Sequence, residues 1–142
     1  KAADDALIAA IDLLPTLAHA CGIELPKPED NNPKIDGINV WDTLLGKKDA
    51  VHARTDLLYW NGWAKLKAIR VGEWKLYLEE VKEIANSDTG PVLFHLAKDS
   101  KETKNLADEH PDKVKTMRAL AERLVADIEA HSLPLGGTTS TR

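Results

Sequence analysis

The alternation of hydrophobic and polar residues predicts a small antiparallel β-sheet in the middle of the chain. Four short segments have β-strand patterns, at residues 56–60, 66–71, 74–80 and 92–97. In the third, apolar residues alternate with polar ones, as in a strand with one packed face and one face in water. Between the second and third, Gly72-Glu73 has glycine at the first position of a two-residue loop, which predicts a type II′ hairpin turn.

A long C-terminal helix is the most regular element of the pattern. Pro111 and Asp112 are typical of a first helical turn, since proline has no amide hydrogen to lose there and a carboxylate suits the positive end of the helix dipole. Apolar residues then recur at three- and four-residue steps through about five turns and predict one packed face. These residues are Val114, Met117, Leu120, Ala121, Leu124, Val125 and Ile128.

The N-terminal part predicts a strand, a helix and a long loop. The apolar run at 6–11 fits a buried strand or the first turns of a helix, and a strand entering a turn is the interpretation adopted. A helix is expected over 13–21, capped by Asp12 and ended by Gly22. Its inner face is predicted to consist of Leu14, Leu17 and Ala18.

Proline and turn-forming residues dominate the next stretch. Residues 23–39 contain three prolines and the pairs Asn31-Asn32 and Asp36-Gly37, so a loop is expected there. A short helical turn follows from Trp41, with Gly46 ending it. The elements together predict an α+β fold, with a small antiparallel sheet packed against a long C-terminal helix and preceded by a helix-and-loop segment.

Composition narrows the class of protein. The chain has 142 residues, of which 43% are hydrophobic, and a net charge of −4. That apolar content is near the globular norm, and no apolar run approaches the roughly 18 residues of a membrane span. Mild acidity without a basic stripe argues against nucleic acid as a partner. The expected partners therefore include neither nucleic acid nor a membrane.

No group of residues predicts catalysis or metal binding. The five histidines lie in no H-x-x-x-H or H-x-H arrangement, so solvent or capping roles are expected for them. The single cysteine, Cys21, has no nearby base and is expected to be a small buried thiol. No nucleophile elbow, phosphate loop or dinucleotide fingerprint is present. The catalytic and metal-ligating sets are therefore predicted to be empty.

One loop between two predicted strands is a candidate substrate-binding site. It contains Trp60, Asn61, Trp63 and Lys65 around a glycine. Two indoles, an amide and an ammonium group suit stacking on, and hydrogen bonding to, a sugar or an aromatic ester. The alternative, that one or both tryptophans simply cover the edge of the sheet, stays open.

Five sequence features follow one another along the chain. Residues 12–17 (DLLPTL) with 21–26 (CGIELP) are similar to a D-x-x-P-T-L and G-I-x-x-P stretch, and residues 36–46 contain DGINV and LLG, similar to D-G-x-x-L and L-L-x-G. Residues 68–76 (AIRVGEWKL) match the hairpin A-x-R-x-G-x-W-K-L. Residues 93–106 resemble L-Y-D-L-x-x-D-P-x-E-x-x-N-L, and the helix that begins at Pro111 follows them. In this order the five features resemble the C-terminal portion of type I sulfatases of the alkaline phosphatase superfamily.

The resemblance implies that this chain is one part of a longer protein and that another part carries out catalysis. Family catalysis uses calcium and a formylglycine made from a C/S-x-P/A-x-R motif, and both are expected in an N-terminal part that this sequence does not contain. Residues 1–53 would then be the edge of the missing α/β domain, and residues 54–142 a C-terminal subdomain. The resemblance implies that this N-terminal catalytic domain is the partner, and that the substrate of the full enzyme is a sulfated carbohydrate or an aryl sulfate. It also implies a periplasmic or secreted location.

The expected function is thus a sulfatase fragment that supports the fold and forms one rim of the substrate pocket without being catalytic alone. Two alternatives stay open. One is the C-terminal part of a related phosphodiesterase or phosphonate hydrolase. The other is a stand-alone, non-catalytic module that binds carbohydrate or protein. A severed fragment is expected to expose a large apolar patch, whereas a module is not.

Overall fold

A four-stranded antiparallel sheet is the centre of the structure, a computed structural model that describes residues 6–27, 34–47, 50, 54–78 and 90–132. The strands are β1 (Asp56–Trp60), β2 (Leu66–Val71), β3 (Trp74–Tyr77) and β4 (Val92–His95), and they pair in chain order. All three pairings are antiparallel. The predicted α+β class is confirmed, and the third and fourth strands are shorter than predicted.

The hydrophobic core lies between the sheet and the C-terminal helix. Ile69, Leu76 and Leu93 stand side by side on adjacent strands, and none of them has any solvent exposure. The C-terminal helix packs against them through Met117 and Ala121, which are also buried. Such cross-strand neighbours covered by one helix face form a single contiguous core.

The turn between β2 and β3 has the predicted backbone. Gly72 has φ +54°, and Glu73 is not among the residues with positive φ. A positive φ at the first central position alone is the signature of a type II′ turn, which follows the twist of the two strands it joins. The hairpin predicted from Gly72-Glu73 is therefore confirmed.

In the part of the chain that the structure describes, three α-helices accompany the sheet: α1 (Leu13–Ala20), α2 (Trp41–Leu44) and α3 (Pro111–His131). Proline occupies the first turn of α3, as predicted. Gly22 and Gly46 follow α1 and α2 with φ of +69° and +65°, a conformation that glycine adopts without steric cost. Among the described residues, no helix is long and apolar enough to cross a membrane.

The strand predicted at 6–11 is wrong. Residues 6–9 have no regular structure, and Ala10–Asp12 is a 3-10 helix. The Asp12 amide donates to the Ala9 carbonyl over 2.9 Å, and the Ala9 amide donates to Asp12 Oδ2 over 2.8 Å. These two bonds close a tight turn. A short apolar run does not distinguish this turn from a strand, because the decisive partner is the Asp12 side chain.

The predicted inner face of α1 is also largely wrong for the described chain. Only Ala18 is buried, while Leu14 and Leu17 are 57% and 59% exposed. Cys21, expected to be a buried thiol, is exposed as well. The amphipathic pattern of α1 is real, but no described residue covers its apolar side.

Candidate functional site

The loop that joins β1 to β2, residues 61–65, is built around Asn61. The Asn61 side-chain oxygen accepts hydrogen bonds from the amides of Trp63 (3.0 Å) and Lys65 (2.9 Å). The Asn61 amide donates to the Lys65 carbonyl over 3.0 Å, and the Ala64 amide donates to the Asn61 carbonyl over 3.1 Å. Four bonds within five residues define one loop conformation, which we call the Trp63 loop.

This loop presents Trp63 to solvent. The Trp63 side chain is 91% exposed, and Trp60 at the end of β1 is 43% exposed. Tryptophan is highly buried on average, because its indole carries a large apolar surface. Trp63 thus places a nearly bare indole on a loop that four hydrogen bonds hold in one conformation. Of the predicted site residues, Trp63 and Lys65 are exposed, and Asn61 is partly buried.

A cluster of polar and aromatic groups supports β1 on the face of the sheet away from α3. Lys75 Nζ donates to Glu102 Oε1 over 2.7 Å, and the Tyr77 hydroxyl donates to Glu102 Oε2 over 2.8 Å. The same ammonium lies 4.6 Å from the ring centre of Tyr77 and 5.3 Å from that of Tyr59. The cluster thus connects Glu102 with the residue that precedes Trp60.

The charges of this cluster are strongly paired. Burial is the largest single cause and lowers the pKa of Lys75, but the hydrogen bonds and charges of Glu102 and Tyr77 together outweigh it, so the pKa is raised from its usual value. Burial is also the largest cause that raises the pKa of Tyr77. Both groups therefore keep their protons at neutral pH. A protonated lysine and a neutral phenol suit a structural role better than that of a base or nucleophile.

A second ion pair joins the N-terminal segment to the start of the sheet. The Arg54 guanidinium binds both carboxylate oxygens of Asp12, and it also donates to the Asp36 carbonyl. The amide of Ile38 donates to Asp12 Oδ1 over 2.9 Å. Asp12 has no exposed surface. Asp12 was predicted to cap α1, yet its side chain makes no capping hydrogen bond to that helix and binds Arg54 and the Ile38 amide instead.

The pKa of Asp12 reflects this environment. Burial raises the pKa of the carboxyl, whereas the bonds from Arg54, Ile38 and Ala9 lower it by more, so the net shift is downward from 3.8. A buried carboxylate with these donors stays ionised at neutral pH. Asp12 therefore acts as a fixed anion that links three parts of the chain.

The histidines do not form a metal site among the described residues. His95, expected in solvent or as a cap, is buried on β4 with its ring centre 4.5 Å from that of Trp74. His110 contacts the same indole edge-on at 5.0 Å, and His131 bonds to the Asp127 carbonyl in the last turn of α3. His19 is exposed, and His52 lies outside the described residues. No group of three His, Cys, Asp or Glu side chains able to hold a metal occurs within the described ranges.

Sequence reasoning missed the residues that hold these features in place. Nothing local to Asp12 indicated Arg54 as its partner, because 42 residues separate them. No role was predicted for Glu102, yet its carboxylate contacts Tyr77 on β3 and its φ is +56°. Asn61 was predicted as a substrate-binding residue, and its hydrogen bonds within the loop were not predicted. Its position directly before Gly62 is a turn signal that could have indicated them.

Comparison with known proteins gives one consistent class. No protein-family model matches the chain. The chain is 30% identical over 126 residues to an N-acetylgalactosamine-6-O-sulfatase of Bacteroides thetaiotaomicron, covering 82% of this chain and 23% of that protein. A solved sulfatase linked to glycosaminoglycan metabolism in Bacteroides thetaiotaomicron is 27% identical with a TM-score of 0.62, covering 80% of this chain and 24% of that one.

A third relative shows the fold alone. The sulfatase PsFucS1 from Pseudoalteromonas sp. has a TM-score of 0.65 at 19% identity, with 89% of this chain and 27% of that chain covered. This chain therefore spans about a quarter of the length of the proteins that it matches.

Proposed function

The chain is a sulfatase-like segment, as its motifs predicted, and from this premise we propose that it is the C-terminal part of a sulfuric ester hydrolase that carries out catalysis elsewhere in the polypeptide. Similarity in sequence to one sulfatase and in fold to several supports this assignment. A related phosphodiesterase or phosphonate hydrolase has less support, because the named relatives are sulfatases.

The observation that carries the proposal is the uneven distribution of exposed apolar surface. Ten large hydrophobic side chains of the described residues are exposed, and eight of them lie within residues 8–45. These eight are Ile8, Ile11, Leu13, Leu14, Leu17, Ile23, Leu44 and Leu45. The sheet and α3 leave none exposed beyond Trp60 and Trp63. A folded domain rarely leaves so much apolar surface in one segment unless another body covers it.

This distribution suggests where two parts of the enzyme meet. We assign residues 1–53 to the edge of a large α/β domain and residues 54–142 to a C-terminal subdomain. Within the described residues, the Asp12–Arg54 pair lies at that boundary and ties the two together. The apolar side of α1 would pack against the remainder of the α/β domain, which is the main partner of this chain.

The catalytic apparatus is assigned to that remainder. The described residues contain no ligand cluster that fits a calcium ion, and Cys21 does not begin a C/S-x-P/A-x-R motif. By the resemblance to type I sulfatases, calcium and formylglycine would be held in that remainder, and no catalytic step is derived for the residues of this chain. The same resemblance implies that the enzyme is periplasmic or secreted.

The Trp63 loop is proposed as one rim of the substrate pocket. An exposed indole stacks on the apolar face of a sugar ring or on an aryl group, which suits a sulfated carbohydrate or an aryl sulfate. Trp60 at the start of the loop and Lys65 at its end are proposed to contribute to the same rim. The role is binding and not chemistry, because none of these groups is a nucleophile or a poised acid or base.

In the full-length enzyme, Trp63→Ala is expected to raise KM about fivefold and to change kcat by less than twofold. The reason is that a lost stacking contact of roughly 1 kcal/mol weakens substrate and transition state equally. Steady-state kinetics of sulfate release measure both constants. Trp63→Phe, which keeps an aromatic ring, is the matched control, and its KM should lie between those of wild type and Trp63→Ala. Unchanged KM for the alanine variant would exclude the loop from the pocket.

A further inference from the structure

We propose that Asn61 is a positioning residue, which holds Trp63 in its exposed position and does not itself contact the substrate. This inference rests on the proposed binding role of Trp63. In this proposal the Trp63 indole contacts the substrate, and the Asn61 side-chain amide keeps the loop in one conformation.

The hydrogen-bonding capacity of Asn61 carries the first step. A side-chain amide oxygen has two lone pairs, and both are used here by the amides of Trp63 and Lys65. The main chain of Asn61 is also engaged within the loop, with its amide bound to Lys65 and its carbonyl bound by Ala64. The acceptor side of Asn61 is therefore filled before any ligand arrives.

The second step concerns the position of Trp63 between these bonds. The Asn61 side-chain oxygen accepts hydrogen bonds from the main-chain amides of Trp63 and of Lys65, two positions later. One oxygen atom therefore holds the main chain at Trp63 and just after it. Ala64, between them, has φ +55°, a conformation that a non-glycine residue adopts only when its surroundings impose it. Without the Asn61 side-chain oxygen, the loop loses two of the four hydrogen bonds that hold this conformation.

The energetic consequence follows from the exposure of the indole. A side chain that is 91% exposed gains by covering its apolar surface, and only the order of the loop opposes this. A loop freed at Asn61 would sample conformations in which Trp63 lies elsewhere. The fraction of molecules ready to bind would fall, and the apparent affinity would fall by that fraction.

A double-mutant cycle in the full-length enzyme separates positioning from direct contact. Asn61→Ala is expected to raise KM about threefold with little change in kcat, since two neutral hydrogen bonds order the loop. If Asn61 acts only through Trp63, the double variant Asn61→Ala/Trp63→Ala has the KM of Trp63→Ala alone. Effects on KM that multiply would show that Asn61 acts on substrate binding by a route other than Trp63, and would overturn the proposal.

A structural readout keeps the inference separate from the proposed function. Amide hydrogen exchange at Trp63 and Lys65 in the full-length protein is expected to become about tenfold faster in Asn61→Ala, because each amide loses its acceptor. Asn61→Asp keeps an oxygen at the same place and should retain the slow exchange. Equal exchange rates in wild type and Asn61→Ala would overturn the positioning role. Faster exchange in Asn61→Ala, with no effect of Trp63→Ala on KM, would reject the rim and leave the loop role intact.

Discussion

Replacing Gly37 by alanine is expected to destabilise the protein by about 3 kcal/mol or more. A Cβ atom at this position would lie 2.0 Å from the Ile11 carbonyl oxygen and 3.1 Å from Cδ of Pro15. The nearest obstacle is main chain, which cannot rotate away as a flexible side chain does. The loop at 34–40 would have to move off the beginning of α1.

The cost extends beyond the clash, because neighbouring bonds depend on the same close approach. The Ile38 amide binds Asp12 Oδ1 over 2.9 Å, and the Val40 amide binds the hydroxyl of Thr16 over 3.0 Å. Thr16 and Val40 are both buried, so breaking the hydrogen bond between the Val40 amide and the Thr16 hydroxyl leaves polar groups without water or a partner. A shift of the loop that relieves the clash lengthens both bonds.

Urea unfolding of Gly37→Ala measures this effect, and Gly62→Ala is the matched control. A Cβ at Gly62 would meet nothing within 4 Å, so its unfolding free energy should change by less than about 0.5 kcal/mol. Equal unfolding midpoints for the two variants would show that residues 34–40 do not pack on α1 as described.

Asp12→Ala is the second change with a large expected effect, a loss of about 3 to 5 kcal/mol. It leaves the guanidinium of Arg54, whose side chain is only 11% exposed, without its carboxylate. It also removes the acceptor for the amides of Ala9 and Ile38. The cost arises mainly from an unpaired charge and orphaned donors that stay buried, and less from the attraction that is lost.

A pair on the surface supplies the control for this variant. Lys47 and Asp42 lie 2.7 Å apart with both side chains 57% exposed, so Asp42→Ala should cost less than about 1 kcal/mol. If Asp12→Ala and Asp42→Ala shift the unfolding midpoint equally, the buried pair does not hold the N-terminal segment to the sheet.

The pH dependence of stability gives an independent check of the same pair. The folded-state pKa of Asp12 is lowered from 3.8, so its contribution is complete above that value and is lost as the pH falls through the folded pKa. Wild type should therefore lose its advantage over Asp12→Ala on acidification below about pH 4. A stability difference that stays constant from neutral pH down to pH 2 would contradict the ionised pair.

The sheet and α3 were predictable because their signals are local. Alternation in β3, glycine at the first turn position and proline at the start of α3 each specify geometry within a few residues. The N-terminal segment was not predictable in the same way. Its turn depends on the Asp12 side chain, and the distant Arg54 completes the environment of that carboxylate.

The candidate site shows the same division. The composition of residues 60–65 was enough to select the site, since this segment combines Trp60 and Trp63 with an asparagine and a glycine. Its geometry was not, because the hydrogen bonds that Asn61 accepts from Trp63 and Lys65 form only in the folded loop. The packed face expected for α1 was wrong for a third reason: we propose that the surface covering Leu14 and Leu17 belongs to the remainder of the α/β domain.

The coding sequence upstream of Lys1 tests the central claim most directly. If the chain is the C-terminal part of a sulfatase, that sequence is a long open reading frame with a C/S-x-P/A-x-R motif and clustered aspartates, and its product releases sulfate from a sulfated sugar or aryl sulfate. A start codon immediately before Lys1 would contradict the account. The apolar side of α1 would then need another partner, and a stand-alone binding module would be the better description.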